Sequence, residues 1–312
     1  MRKLRYQLVD VFTNRQFGGN PLAVFTNGRG IRPETMQAIA KELNLSETTF
    51  VLPPVDPAND YRVRIFTPGK ELPMAGHPTV GTTYVLAREH MIERAGERGS
   101  DGAETEIKLE EGVGTIPVRI RWRDGAAQFI QMRQPAPTFG PRVEDVQAVA
   151  EMLSIAPAEI AETNLPLEVV SCGVPFLYVP VKSLHAVQNI KFRLDVWENR
   201  LSETVPPEVF VFTREVEFAD STVHSRMFAP GMGIWEDPAT GGASGPLGCY
   251  LVRYGVVSGE GGMAEFTSEQ GIEMGRPSFI KIRITSEGGE ITDVRVGGEC
   301  RFMGEGYLEI ED

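Results

Sequence analysis

The chain is poor in the residues that mark several functional classes. Cysteine is scarce: Cys172, Cys249 and Cys300 are the only three in 312 residues. They lie far apart with no C-x-x-C pair, which argues against a disulfide framework and a thiolate metal site. Histidine is equally thin, with His77, His90, His185 and His224. None forms an H-x-x-x-H pair, so a helical zinc site has no support. No G-x-x-x-x-G-K-[ST] phosphate loop occurs. Long apolar runs are missing too, and Gln7 and Asp10 interrupt the stretch behind the basic start. This pattern suits neither a membrane helix nor an ordinary signal peptide, and a cytoplasmic protein is expected. Basic residues are in deficit: 31 Lys and Arg against 43 Asp and Glu leave a net charge of −12. Such a surface repels phosphate backbones, which argues against nucleic acid as a partner. A local site can still attract a small anion.

The rest is ordinary globular material, with 41% hydrophobic and 24% charged residues, and the length suggests two domains. Strands are expected at 6–12, 22–25, 48–52 and 61–66, the last alternating Tyr61, Val63 and Ile65 with Arg62 and Arg64. A helix is expected over 33–43, with Met36, Ile39, Ala40 and Leu43 on one face and Pro33 in its first turn. An apolar helix over 79–91 follows His77-Pro78. Then come a Gly-rich loop over 95–103, strands near 106–109 and 116–122, and the hairpin turn Asp124-Gly125. The second half reads as helix 143–153 and strands 167–170, 176–180, 209–212 and 222–228. An apolar helix over 243–254 follows Asp237-Pro238, and strands 279–285 and 291–296 close the pattern.

Two segment pairs recur in the same order. Met36-Gln37-Ala38-Ile39-Ala40 returns as Val146-Gln147-Ala148-Val149-Ala150, and Phe66-Thr67-Pro68-Gly69 as Phe228-Ala229-Pro230-Gly231. Each half then has a residue-Pro step before an apolar helix. Ordered self-similarity of this kind predicts a duplication, and two similar domains offer a cleft for a ligand. A proline at the first helical position would put His77 and Asp237 at N-caps, where free N–H groups favour an anion. Gly76, Gly81, Gly241, Gly242 and Gly245 surround these steps and would allow close approach. Asp before Pro is also an ordinary cap, so the case for Asp237 rests on the repeat.

At these residues the sequence resembles the PhzF-like family, which shares its fold with diaminopimelate epimerase. The matching segments are Asp10-Val11-Phe12, Phe17-Gly18-Gly19-Asn20-Pro21, Leu45-Ser46-Glu47-Thr48 and Glu71-Leu72-Pro73-Met74-Ala75-Gly76-His77-Pro78. Further on come Arg226-Met227-Phe228-Ala229-Pro230, Glu236-Asp237-Pro238-Ala239-Thr240-Gly241-Gly242 and Gln270-Gly271. The resemblance implies an α+β fold of two pseudo-symmetric domains. In each, a mixed β-sheet curls into a barrel around a central helix. The domains would be 1–125, completed by a C-terminal strand at 299–312, and 126–298. It also implies a homodimer and a cofactor-independent isomerase acting on a small carboxylic acid.

The family's acid/base glutamate maps onto Glu47, its histidine onto His77 and its aspartate onto Asp237. Asn20, Gly76, Gly241 and Gly242 map onto substrate contacts, and no metal is implied. In the phenazine-pathway member the substrate is trans-2,3-dihydro-3-hydroxyanthranilate, and the glutamate takes a proton from C3 and returns one at C1. Two departures stand out. The paired cysteines of the epimerase and racemase relatives are absent, which disfavours two-thiol chemistry. Gly242 also stands where the family often has serine. The competing reading is a binding or interaction protein of the same fold with a vestigial site.

Overall fold

The period-two alternation at Tyr61–Phe66 folds as the strand it predicts, and the helical periodicity at Pro33–Leu43 as the helix. That helix stops where Asn44 turns left-handed (φ 50°) and returns its N–H to the Ala40 carbonyl. The computed structural model describes residues 1–93 and 102–311. The Gly-rich stretch expected over 95–103 lies outside the described residues up to 101. The chain divides into unit 1, Met1–Arg133 with Arg295–Asp312, and unit 2, Gln134–Val294.

Unit 1 runs β1 (Arg2–Val11), β2 (Asn20–Phe25), α1 (Pro33–Leu43), β3 (Glu47–Leu52), β4 (Tyr61–Phe66), β5 (Glu71–Leu72), α2 (Gly76–Arg88), β6 (Glu104–Glu111), β7 (Gly114–Arg123) and β8 (Ala126–Arg133). Unit 2 contains β9 (Thr138–Arg142), α3 (Val146–Leu153), α4 (Pro157–Ala161), β10 (Glu168–Ser171), β11 (Pro175–Pro180), α5 (Leu184–Gln188), α6 (Leu194–Arg200), β12 (Val209–Thr213), β13 (Val223–Ala229), β14 (Ile234–Asp237), α7 (Gly241–Arg253), β15 (Met263–Gln270) and β16 (Ser278–Glu287). β17 (Glu290–Gly298) follows, and β18 (Cys300–Ile310) ends the chain. The short helices α4, α5 and α6 were not expected, because five to seven residues are too few to show a period.

In unit 1, β1 pairs antiparallel with β18 and β2, β2 parallel with β3, β3 antiparallel with β4, and β4 parallel with β6. β6, β7 and β8 continue antiparallel. The sheet is mixed, as expected. It is not closed into the barrel the resemblance implies. Residues 295–298 of β17 pair with β8 and β18 pairs with β1, so successive stretches of one segment serve the two ends.

Unit 2 repeats this order of pairings: β10–β11 antiparallel, β11–β12 parallel, β12–β13 antiparallel, β13–β14 antiparallel, β13–β15 parallel and β15–β16 antiparallel. The Phe66/Phe228 match sits at equivalent strand ends, β4 and β13. The other match does not. Met36–Ala40 lies in α1, between β2 and β3, whereas Val146–Ala150 lies in α3, between β9 and β10. The pairings also correct the equivalence of His77 and Asp237. Ile65 pairs with Leu72 and Met227 with Asp237, so the ladder makes Leu72, not His77, the counterpart of Asp237.

Each unit buries one long helix. α2 packs against β1, β2, β3 and β8, and α7 against β10, β11 and β16. Only small residues permit this fit. A Cβ on Gly81 would lie 2.6 Å from a Val11 methyl and 2.7 Å from a Leu22 methyl. Gly81→Ala is expected to destabilise unit 1 by about 1–3 kcal/mol through overpacking. Thermal unfolding would show it, and an unchanged midpoint would contradict the packing described.

Candidate active site

In unit 1 the pieces converge at the start of α2. The turn before β2 needs glycine at 19: its φ is +64°, and a Cβ would lie 2.3 Å from the Val11 carbonyl oxygen. Phe17 is left-handed as well, with its N–H held 2.9 Å from Asp10 Oδ2. This turn delivers Asn20 as the first residue of β2. Glu47 opens β3, beside Leu22 in the parallel ladder. A Thr49–Thr82 hydroxyl contact of 2.8 Å ties β3 to α2.

Glu47, His77 and Asn20 are all buried, at 6%, 2% and 0% exposure. Asn20 Nδ2 lies 3.1 Å from His77 Nδ1, and His77 Nε2 lies 3.2 Å from Glu47 Oε2. Burial pushes the His77 imidazole down to about 3, so the ring is neutral near pH 7. The amide nitrogen can only donate, so Nδ1 accepts and the ring proton sits on Nε2, beside the carboxylate. The contact is close without the alignment of a hydrogen bond. Despite its length it is not an ion pair, since one partner is uncharged.

Helix α2 starts one residue before His77, with Ala75 as its N-cap and no capping side chain. His77 therefore lies inside the first turn, not at the cap the sequence suggested. Pro78 has no N–H, and Gly76 and His77 keep first-turn N–H groups without helical partners.

In unit 2, Asp237 is the last residue of β14 and the N-cap of α7 is Thr240, three residues on. Asp237 too is thus not a cap. The Thr240 hydroxyl donates to Asp237 Oδ2 at 2.7 Å. Gln270 Nε2 donates to the Asp237 carbonyl at 2.7 Å and to Thr240 Oγ1 at 2.9 Å, while its Oε1 accepts from the Thr240 N–H at 3.0 Å. Arg226 grips the neighbouring Glu236 through two 2.8 Å bonds. Gly241 and Gly242 form the first turn of α7. Sequence reasoning gave Thr240 and Gln270 no role. Only the end of β15 against the helix start brings the two together.

Beside Gln270 lies a buried triad, with His224 Nδ1 2.9 Å from Glu269 and Nε2 2.9 Å from Glu273. Burial opposes charge on this ring, but the bonds to Glu269 and Glu273 outweigh it and hold the imidazole up to about 9. Both carboxyls stay below their usual range although burial raises them, because the His224 bond acts together with the Glu217 and Phe218 N–H groups on Glu269 and with the charge of the ring on Glu273.

The chain matches the family described as phenazine biosynthesis-like protein (PhzC-PhzF) over residues 9–306. It is 39% identical to an uncharacterised isomerase of Mesorhizobium japonicum, over 99% of this chain and 100% of the relative. It is 36% identical to the trans-2,3-dihydro-3-hydroxyanthranilate isomerase of Pseudomonas aeruginosa, over 97% of this chain and 98% of that one. The crystal structure of the PhzF-family phenazine biosynthesis protein of Bacillus anthracis superposes with a TM-score of 0.87 at 28% identity, over 99% and 100% of the two chains.

The two buried histidines are expected in opposite states at pH 7.5, with ring ¹⁵N spectra showing His77 neutral and His224 charged. Because His224 is raised above its ordinary 6.5, its contribution to stability is complete below that pH and is lost as pH rises through about 9. His224→Gln should therefore cost about 3–5 kcal/mol at pH 6 and much less at pH 9.5. A His77 ring that titrates near 6.5, or a His224→Gln cost independent of pH, would contradict these assignments.

Proposed function

The chain belongs to the phenazine biosynthesis-like family and is an isomerase, and on that footing we propose that it shifts a proton within a small carboxylic acid, without a cofactor, using Glu47 as the acid/base. The buried Asn20–His77–Glu47 chain carries the reading. A neutral imidazole whose proton is fixed on Nε2 is poorly placed to act as the base, which leaves proton transfer to the carboxylate beside it. His77 orients that carboxylate, and Asn20 fixes the tautomer of His77.

The reaction needs no change of oxidation level. The carbon acid gives its proton to Glu47, the C–H electron pair enters a new double bond, and the pair of the substrate's existing double bond moves to the carbon that takes the proton back. Charge that grows on the substrate's oxygens meets the N–H groups of Gly76 and His77, which have no partner within the helix. Gly241 and Gly242 at the start of α7 offer the same kind of donor, and Asp237 joins the catalytic set through the family motif. On the same resemblance we assign a cytoplasmic homodimer built from two duplicated domains, the sheet of each curling about its long buried helix.

The substrate of the Pseudomonas aeruginosa relative, trans-2,3-dihydro-3-hydroxyanthranilate, is the probe of choice. In deuterated water, turnover is expected to place solvent deuterium in the product, visible by NMR. Glu47→Gln is expected to lower kcat by about 10²–10⁴-fold, the usual share of a general acid/base. Undiminished turnover in that variant would overturn the assignment.

A further inference from the structure

Glu111, the last residue of β6, is a buried carboxyl for which the proton shift has no use. Its Oε1 lies 2.5 Å from the Thr79 hydroxyl in the first turn of α2, and that hydroxyl also lies 2.7 Å from the Ala75 carbonyl oxygen. A threonine hydroxyl has one proton to give. Both contacts are short enough to need a hydrogen between the oxygens. The Ala75 carbonyl can only accept, so Thr79 donates to it and the other hydrogen comes from Glu111. The second carboxyl oxygen, Oε2, has no hydrogen-bond partner among the described residues. That is costly for a buried anion and far less so for a neutral acid.

The strand registers supply an independent argument. β6 pairs with β4 through Tyr61↔Leu109 and Arg62↔Glu110, and β15 pairs with β13 through Val223↔Ser268, His224↔Glu269 and Ser225↔Gln270. Setting Phe66 against Phe228 sets Tyr61 against Val223, and the ladder then sets Glu111 against Gln270. Gln270 is the amide that donates to Thr240 at the start of α7. A glutamine is the uncharged counterpart of a protonated glutamate, and both positions bond a threonine at the start of the unit's buried helix.

We infer that Glu111 is a positioning residue: as a protonated acid it fixes the first turn of α2 through Thr79 and so holds His77 beside Glu47. The backbone after it grips the same segment, since Val113 N–H donates to the Pro73 carbonyl at 3.1 Å. A Cβ on Gly112 would lie 2.7 Å from Pro73 Cα. Burial pushes the Glu111 carboxyl up to about 8. Its charged neighbours do not offset this. Glu110 turns to the Val55 and Asp56 N–H groups, with Arg62 3.7 Å from it. Lys108 alternates to that same outer face, Tyr61 donates to the Met91 carbonyl, and His77 on α2 is neutral. Opposite Glu111 on β7 stands Gly114. Because the folded value lies above the ordinary 4.5, the stabilising effect is complete below that pH and is lost as pH rises through about 8.

The functional meaning of this device rests on the proposed roles of Glu47 and His77, but its test needs no turnover. In protein labelled with ¹³C at glutamate carboxyls, one resonance is expected to titrate near pH 8 and to vanish in Glu111→Gln. The His77 ring, neutral throughout, should show a small shift with the same midpoint in the wild type and none in Glu111→Gln. The thermal midpoint of Glu111→Gln relative to wild type should rise between pH 5 and pH 9. If that variant does not fold, Thr79→Val serves instead, moving the midpoint of the same resonance. The inference fails if no glutamate titrates above pH 7, or if the His77 signals ignore the one that does. Should turnover be absent altogether, the isomerase mechanism fails while these spectra still decide the role of Glu111.

Discussion

Burial that withholds water from ionisable groups governs the buried polar clusters of both units. Glu47, His77 and Asn20 sit where solvent hardly reaches, and desolvation decides the state of the imidazole. In water that ring would share a proton with a carboxylate 3.2 Å away and form an ordinary ion pair. In a dry site the charged ring is too costly, so Glu47 faces a neutral imidazole instead of an imidazolium. The backbone around it serves that end. Gly19 lets the chain turn tightly enough to set Asn20 against Nδ1, and the β2–β3 ladder carries Glu47 to the other side of the ring.

Unit 2 meets the same constraint in the opposite way. His224 is at least as deeply buried as His77, yet it faces carboxylates on both nitrogens and keeps its charge. One polar partner on each side decides the outcome: an amide at His77 Nδ1 contributes no negative charge, whereas Glu269 at His224 Nδ1 does. Glu269 also accepts the Glu217 and Phe218 N–H groups at 2.6 and 3.0 Å, so the charged triad fastens a loop as well as a strand. It lies next to Gln270, the residue that orders the Asp237 turn. The two units thus hold one buried histidine neutral and the other charged.

The sequence displayed some of this and hid the rest for identifiable reasons. Strand alternation and helical period gave α1 and β4 their observed limits, because each depends on neighbours a few residues away. Duplication was legible, but half of the evidence for it was accidental: α1 and α3 share a short apolar pattern without sharing a place in the topology. The helix starts were misjudged for a related reason. Proline is tolerated within a first turn, as Pro78 is in α2, and ahead of a helix, as Pro238 is before α7, so neither could by itself say where its helix begins. Glu111 and Gln270 lie outside any local pattern. Only the pairing of β6 with β4 and of β15 with β13 brings each to a helix start.

A side chain that caps a helix contributes about 1 kcal/mol, and both buried helices do without one. At α2 the cap position holds Ala75, which has nothing to offer. At α7 it holds Thr240, whose hydroxyl is committed to Asp237 and Gln270 instead of the first turn. The start of each helix is fastened from the side, through Thr79 in one unit and Thr240 in the other, and no side chain caps its first turn. Serine or aspartate at 75 would stabilise α2 and also occupy its first-turn N–H donors. The fold forgoes the cap at both helices, and under the proton-shift reading the substrate's own oxygens take its place.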